Sequence, residues 1–437
     1  MTELRAWLDA ERATIQMIVK KVWAEESWPW FLNSHEFSRD DGRFFSIIQR
    51  QNLFINQPEV GILSFLLVRN SGAVFTLVQA KAEPGNVETT QIAPTIQATL
   101  SNYSRVHGGS ETPYLSNLLS LIQENNRVVN DSLQSEHGER FYKKLNRNIT
   151  AFIDDYLPAV EHYKWVPLTS VLETLMDDFA VNTDARSVLI TSVWSELLDE
   201  GQEAFSLPDS EWTKRLKCSF AGESQITECL DLLNHFRWLH SLPKTKSEPL
   251  LTESNLGLTS SIVDKYDSDN RVEFFRITSN SREVPEWNQP LFVRDKPDRQ
   301  VLLARPRGEG VEFLLSCRSE PGLANIAEFG ASYASSDSFE GKSPLVTDVA
   351  RSIRQIVDST DPIVSVRQSD EGGRFLESIC TYQIYFVSEI PSGFLAETLD
   401  SSGYIWVNLR TIQDLCLRGG TTTNELRSLV SLFLTWL

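Results

Sequence analysis

The octapeptide QSEHGERF at Gln134–Phe141 returns as QSDEGGRF at Gln368–Phe375. Five more pairs keep the same order around it. Phe44-Phe45 is answered by Phe274-Phe275, and Arg50 with Asn56-Gln57-Pro58 by Arg282 with Asn288-Gln289-Pro290. Glu83-Pro84-Gly85 returns as Glu320-Pro321-Gly322, Tyr163-Lys164-Trp165-Val166 as Tyr404-Ile405-Trp406-Val407, and Arg186-Ser187 as Arg427-Ser428. The offset drifts slowly from about 230 to about 241 residues. Each match is short, but a shared order with drifting spacing points to a tandem duplication. The boundary is expected near residue 215, giving repeats 1–215 and 216–437, the second led in by a helix over about 225–242.

Within each copy the pattern runs helix, strands, helix. VGILSFLLVRNSGAVFTLVQAKA reads as two β-rich runs broken at Asn70-Ser71-Gly72, a hairpin signal. PLFVRDKPDRQVLLARPRGEGVEFLLSCRS is its counterpart. After YKWV, LTSVLETLMDDFA and TSVWSELL have apolar residues at helical spacing. The expected class is α+β, each half a mixed sheet flanked by helices.

Composition agrees with a folded protein: 437 residues, 41% hydrophobic and 23% charged, with 23 Phe and 11 Trp to bury. The length suggests two to three domains. A net charge of -18 argues against broad phosphate-backbone binding, yet permits one anionic ligand in a local basic pocket. The N-terminus MTELRAWLDAERATIQMIVKKVW lacks the apolar run of a signal peptide, and no 18 consecutive apolar residues occur. Five widely spaced cysteines without CxxC fit reduced thiols, so a cytoplasmic protein is expected. No HExxH or other metal-ligand spacing and no GxGxxG occurs, so neither a metal nor a redox cofactor is predicted.

Polar groups are densest over 79–114, QAKAEPGNVETTQIAPTIQATLSNYSRVHGGSETPY. Such a segment following a strand is a natural ligand site. It offers Lys81, Glu83, Gln91, Gln97, Ser101, Asn102, Tyr103, Arg105 and His107. The repeat serves as an internal control. The second copy keeps Glu320-Pro321-Gly322 but reads EFGASYA where the first reads QIAPTIQ, and it has no counterpart of SNYSRVHGG. Requirements of the fold should persist in both copies, whereas chemistry can be lost from one. The first half is therefore expected to hold the active pocket and the second a degenerate one.

FSRDDGRFF, QAKAEPGN with QIAPTIQATLSNYSRVHGG, and the NQP, QSxxGxRF and YxWV pairs resemble the NDP-hexose 2,3-dehydratases. The resemblance implies two Nudix-like domains in tandem and a homodimer. It implies action on a nucleotide-linked 4-keto-6-deoxyhexose, usually carried by dTDP, with a downstream NADPH-dependent 3-ketoreductase as partner. The Nudix box GX5EX7REUXEEXGU, whose glutamates hold metal in the hydrolases, is absent.

Such a reaction has a clear logic. The C4 carbonyl acidifies the C3 proton, a base removes it, the enolate expels the C2 hydroxyl, and the enol becomes a 3,4-diketone. A base, an acid and an enolate stabiliser are required. Glu83 and His107 are the candidate acid–base pair, Tyr103 a candidate acid, and Lys81, Arg105 or Asn102 candidates to face the enolate or the diphosphate. Gln91, Gln97, Ser101, Arg140 and Trp165 are candidate substrate contacts. Each has a plainer reading: Glu83-Pro84-Gly85-Asn86 as a turn, His107 as a loop residue beside Gly108-Gly109, Trp165 as core, and Arg140 as the partner of a local carboxylate. Two other functions compete, a Nudix-type nucleotide-sugar hydrolase and a non-catalytic sugar-nucleotide binding protein.

Overall fold

A computed structural model describes residues 2–99, 112–124, 127–240, 246–255, 257–267, 269–282, 284–335, 344–388 and 402–437. The architecture is mixed α/β with several mixed sheets. In the first half, strands β1 (Gly61–Asn70), β2 (Ala73–Ala82), β3 (Thr90–Ala93), β4 (Ile96–Ala98), β5 (Val128–Ser135), β6 (Leu145–Phe152) and β7 (Tyr163–Pro167) build one sheet. Its order is β5-β6-β1-β2-β7, with β3 against β2 and β4 against β1. The second half builds another from β8 (Asp298–Arg307), β9 (Gly310–Ser319), β10 (Ala327–Gly330), β11 (Tyr333–Ala334), β12 (Val364–Ser369), β13 (Ile379–Phe386) and β14 (Tyr404–Val407). Its order is β12-β13-β8-β9-β14, with β10 against β9 and β11 against β8. The two connectivities are the same, including the parallel pairs β6·β1 and β13·β8 in otherwise antiparallel sheets.

Local chemistry explains the strands. β1 and β2 close at Asn70↔Ala73 around Ser71 and Gly72, both at positive φ (50° and 84°), the two-residue turn that an Asn-Ser-Gly sequence favours. Between the two sheets' corresponding strands, Thr95 and Ser332 do the same task. Each hydroxyl accepts from a backbone N–H (Leu66, Leu303) and donates to a carbonyl (Leu77, Leu314).

The halves are interlocked. Strand Met17–Val22, from the first half, pairs with Asn270–Ser279 of the second. The Glu-Pro-Gly turn of each half docks on the QSxxGxRF loop of the other. Gly85 N–H donates to Gly372 C=O (2.8 Å) while Glu377 N–H donates to Gly85 C=O (2.7 Å). Reciprocally, Gly322 N–H donates to Gly138 C=O (2.7 Å) and Lys143 N–H to Gly322 C=O (2.6 Å). Both glycines are required by this approach. A Cβ on Gly85 would lie 1.6 Å from the Phe375 carbonyl oxygen, and one on Gly322 2.0 Å from that of Phe141.

Helices α1 (Thr183–Ile190) and α2 (Asn424–Val430) pack on each other between the sheets. Asn182 and Thr423 cap them, accepting from Ala185 N–H and Leu426 N–H. Their arginines are fully buried: Arg186 donates to Val181 and Leu175 carbonyls and to Ser431 Oγ, and Arg427 donates to Ser187 Oγ (2.9 Å) and to the Thr422 and Ser135 carbonyls. Buried guanidiniums with most donors satisfied are tolerable. The largest apolar cluster runs through both halves, joining Leu63, Phe65 and Trp194 to Leu302, Phe313 and Phe433. Residue 215 lies within helix Glu211–Ala221, and the expected lead-in helix spans Ile226–Leu239. Among the described residues no helix is long and apolar enough to cross a membrane. All five cysteines are free thiols.

Candidate active site

Along β2 side chains alternate, Ala80 and Ala82 buried on one face while Gln79 and Lys81 lie on the other. Glu83 follows on the Lys81 side, in a turn closed by Asn86 N–H donating to Glu83 C=O (3.2 Å). Lys81 Nζ stands 3.6 Å from Glu83 Oε1 and donates to the Gln97 carbonyl. Gln97 Nε2 donates to the same Glu83 oxygen at 3.1 Å, and Asn182, the α1 cap, donates to Gln97 Oε1 at 3.0 Å. Gln91 Nε2 reaches Ser369 Oγ of the second half (3.4 Å). Turn, strand end and helix cap thus converge on one carboxylate.

Other charges surround this centre. Arg282 donates to the Ala82 carbonyl. Burial, with help from Arg282, pulls the Lys81 ammonium below its usual range, and Glu83 and Asp184 oppose the shift. Asp184, at the start of α1, is held well above the usual carboxylate range by burial and by Glu371, Glu136 and Glu83. Burial also raises Glu371 and Glu136, the latter to about 7. Enclosed, densely charged groups with displaced protonation are what proton transfer needs.

The second half carries a related but different centre. A cavity of about 10 Å³, room for about one water molecule, is lined by Glu139, Asp298, Gln300, Arg318, Glu320, Thr423 and Glu425. Arg318 stands where the first half has Lys81, Glu320 where it has Glu83, and Glu425 where it has Asp184. His137 enters from the first half, its Nδ1 2.7 Å from Glu425 Oε1. Among the described residues no group of three or more His, Cys, Asp or Glu is arranged to hold a metal ion.

The profile of the NDP-hexose 2,3-dehydratase family matches residues 1–191 and 255–433. The chain belongs to that family. Curated relatives carry the name dTDP-4-dehydro-6-deoxy-alpha-D-glucopyranose 2,3-dehydratase. One from Saccharopolyspora spinosa is 29% identical over 93% of this chain and 86% of its own length. One from Streptomyces violaceoruber is 28% identical over 98% and 95%, and one from Amycolatopsis orientalis 25% over 98% and 89%. The chain is thus a sugar-nucleotide 2,3-dehydratase, a hydro-lyase.

Of the dehydratase's predicted site residues, Lys81, Glu83 and Gln97 stand together, with Gln91 beside them at the seam between halves. Glu83-Pro84-Gly85 forms the expected turn, and its carboxylate faces Lys81. Arg140 sits elsewhere. Its loop docks on the opposite half's turn, and its charge acts on Glu139, at the second cavity. Its counterpart Arg374 lies in the loop that docks on Gly85, where its charge acts on Glu371. Trp165 lies in β7, its indole N–H donating to Leu157 C=O (2.8 Å) and its ring edge-on to Tyr156. Ser101, Asn102, Tyr103, Arg105 and His107 lie outside the described residues. Sequence reasoning missed Asp184, Arg282 and Glu371. Arg282 and the QSDEGGRF loop stood out as repeats, and their recurrence beside Glu-Pro-Gly was the available signal.

Proposed function

We propose that the enzyme takes a dTDP-linked 4-keto-6-deoxyhexose and eliminates water across C2–C3 in the first-half site, giving a 3,4-diketo-2,6-dideoxy sugar nucleotide. The observation that carries this reading is the Lys81–Glu83–Gln97 cluster, a carboxylate and an ammonium on one strand face. Relatives that act on this dTDP sugar, by their names, support the substrate. Glu83 removes the C3 proton. Lys81 stabilises negative charge on the C4 oxygen, and fixed donors of this kind contribute most where water is excluded. Gln97 holds Glu83 in place, and Asn182 holds Gln97. The acid comes from another group, for which the sequence alone offers Tyr103 and His107. No hydride moves in this step, so it needs no redox cofactor. The product's ketone suits an NADPH-dependent 3-ketoreductase as the next enzyme.

The fold reading that accompanies this one is a tandem duplication of a Nudix-like domain, supported by the matched connectivity of the two sheets and the six sequence pairs. A homodimer is part of the same proposal, by resemblance. Incubation with dTDP-4-keto-6-deoxyglucose, a 3-ketoreductase and NADPH tests the function. A 2-deoxysugar nucleotide is expected. Release of dTMP would favour a hydrolase, and binding without turnover a scaffold. E83Q should lower kcat by about 10²–10⁴-fold, the usual worth of a general base.

A further inference from the structure

Glu371 reaches the first-half site from the other half of the chain. Its loop is pinned there. Besides the Gly85–Gly372 and Glu377–Gly85 bonds, Val87 N–H donates to Ser369 Oγ (3.1 Å), and Gln289 Nε2 donates to Gly373 C=O (2.9 Å). Gly373 then lies close to two carboxylates. A Cβ built on it would stand 3.6 Å from Glu371 Oε1 and 3.7 Å from Glu83 Oε1. Both Glu371 and Gly373 are only partly buried. Docking itself does not require a carboxyl at this place. In the reciprocal loop the corresponding residue is His137, bound to Glu425, and Glu139 stands where Gly373 does.

We propose that Glu371 is the general acid of the elimination, working opposite Glu83 across the space that Gly373 leaves open. The proposal rests on the first-half site reading above. Burial and the neighbouring Glu83 charge favour the protonated form of Glu371, while Glu83 has an ammonium 3.6 Å away. Two carboxyls in unlike surroundings can thus divide the acid and base tasks. Glu83 takes the C3 proton, and the C–H electron pair moves onto the C4 oxygen. That pair returns, the C2–O bond breaks, and the Glu371 proton joins the departing oxygen as water. In the resulting enol, the O3 proton passes to Glu371 and the Glu83 proton to C2. Both carboxyls return to their starting states.

Two readouts separate acid from base. Elimination is trapped as the 2-deoxysugar with 3-ketoreductase and NADPH, and deuterium wash-in at C3 of unreacted dTDP-4-keto-6-deoxyglucose is followed by NMR in D2O. E371Q should slow elimination by at least about 100-fold yet still wash deuterium into C3, because the base is intact. E83Q should lose both. Elimination by E371Q at the wild-type rate overturns the proposal and leaves the Glu83 reading standing. Loss of both readouts in E371Q that melts normally and binds dTDP also overturns it, as Glu371 would then act through the base. Retention of both in E83Q overturns the site reading beneath. Should E371Q fail to fold, E371D decides: slower elimination with unchanged wash-in supports the acid role, and equal change in both, or none, contradicts it.

Discussion

His137 shows how strongly one side chain can tie two halves. Although burial opposes its charge, Glu425 at 2.7 Å and Asp370 at 4.0 Å push its pKa up to about 10. The same contact lowers Glu425 to about 2. A histidine raised in the folded state contributes stability that is complete below its unfolded value of about 6.5 and is lost as pH rises through about 10. Glu136 and Glu328, each raised to about 7, fold more favourably when protonated, so their part declines between about pH 4.5 and 7. Denaturant midpoints should therefore fall steadily from pH 5 to pH 10. H137Q should flatten the decline between pH 7 and 10, and an unchanged slope there would contradict the account. At this scale the sequence was readable where partners lie close in the chain. Lys81, Glu83 and Gln97 share one short segment, whereas Asp184, Arg282 and Glu371 arrive from about 100 to 290 residues away and carry no local mark of their destination.

Among the elements, the hairpin over Asn70-Ser71-Gly72 was legible from turn chemistry and β-rich flanking runs. The crossed docking of turns and loops was not, because repetition reveals that two segments matter without revealing that each meets the other's copy. Arg140 illustrates the consequence: open by sequence between substrate contact and partner of a local carboxylate, it lies in the loop that docks on the second half's turn, its charge acting on Glu139. The docking itself gives a sharp prediction. G85A and G322A each press a methyl into a backbone carbonyl, which cannot yield as a flexible side chain does. Each should cost about 1–3 kcal/mol or more, read as a lower melting temperature. G373A, where contacts of 3.6 and 3.7 Å are ordinary, should melt within a degree or two of wild type. Equal melting of all three would show that the interlock contributes little.

For the whole molecule, the two sheets share a connectivity, yet the halves are built into each other. Strand Met17–Val22 completes a sheet of the second half, and the main apolar cluster is continuous through both. Separate expression of 1–215 or 216–437 should therefore give chains without a cooperative unfolding transition, and a half that unfolds cooperatively alone would contradict this. The proposed duplication rests on the order of six short matches and on the shared connectivity of the sheets. What each copy does was not legible, since Arg318, Glu320 and Glu425 keep a charged centre in the second half as well. That pairing supplies the most direct test of where the chemistry lies. Turnover of dTDP-4-keto-6-deoxyglucose, trapped by 3-ketoreductase and NADPH, should fall by about 10²–10⁴-fold in E83Q and stay near wild type in E320Q. Normal turnover by E83Q together with its loss in E320Q would contradict the assignment of catalysis to the first half.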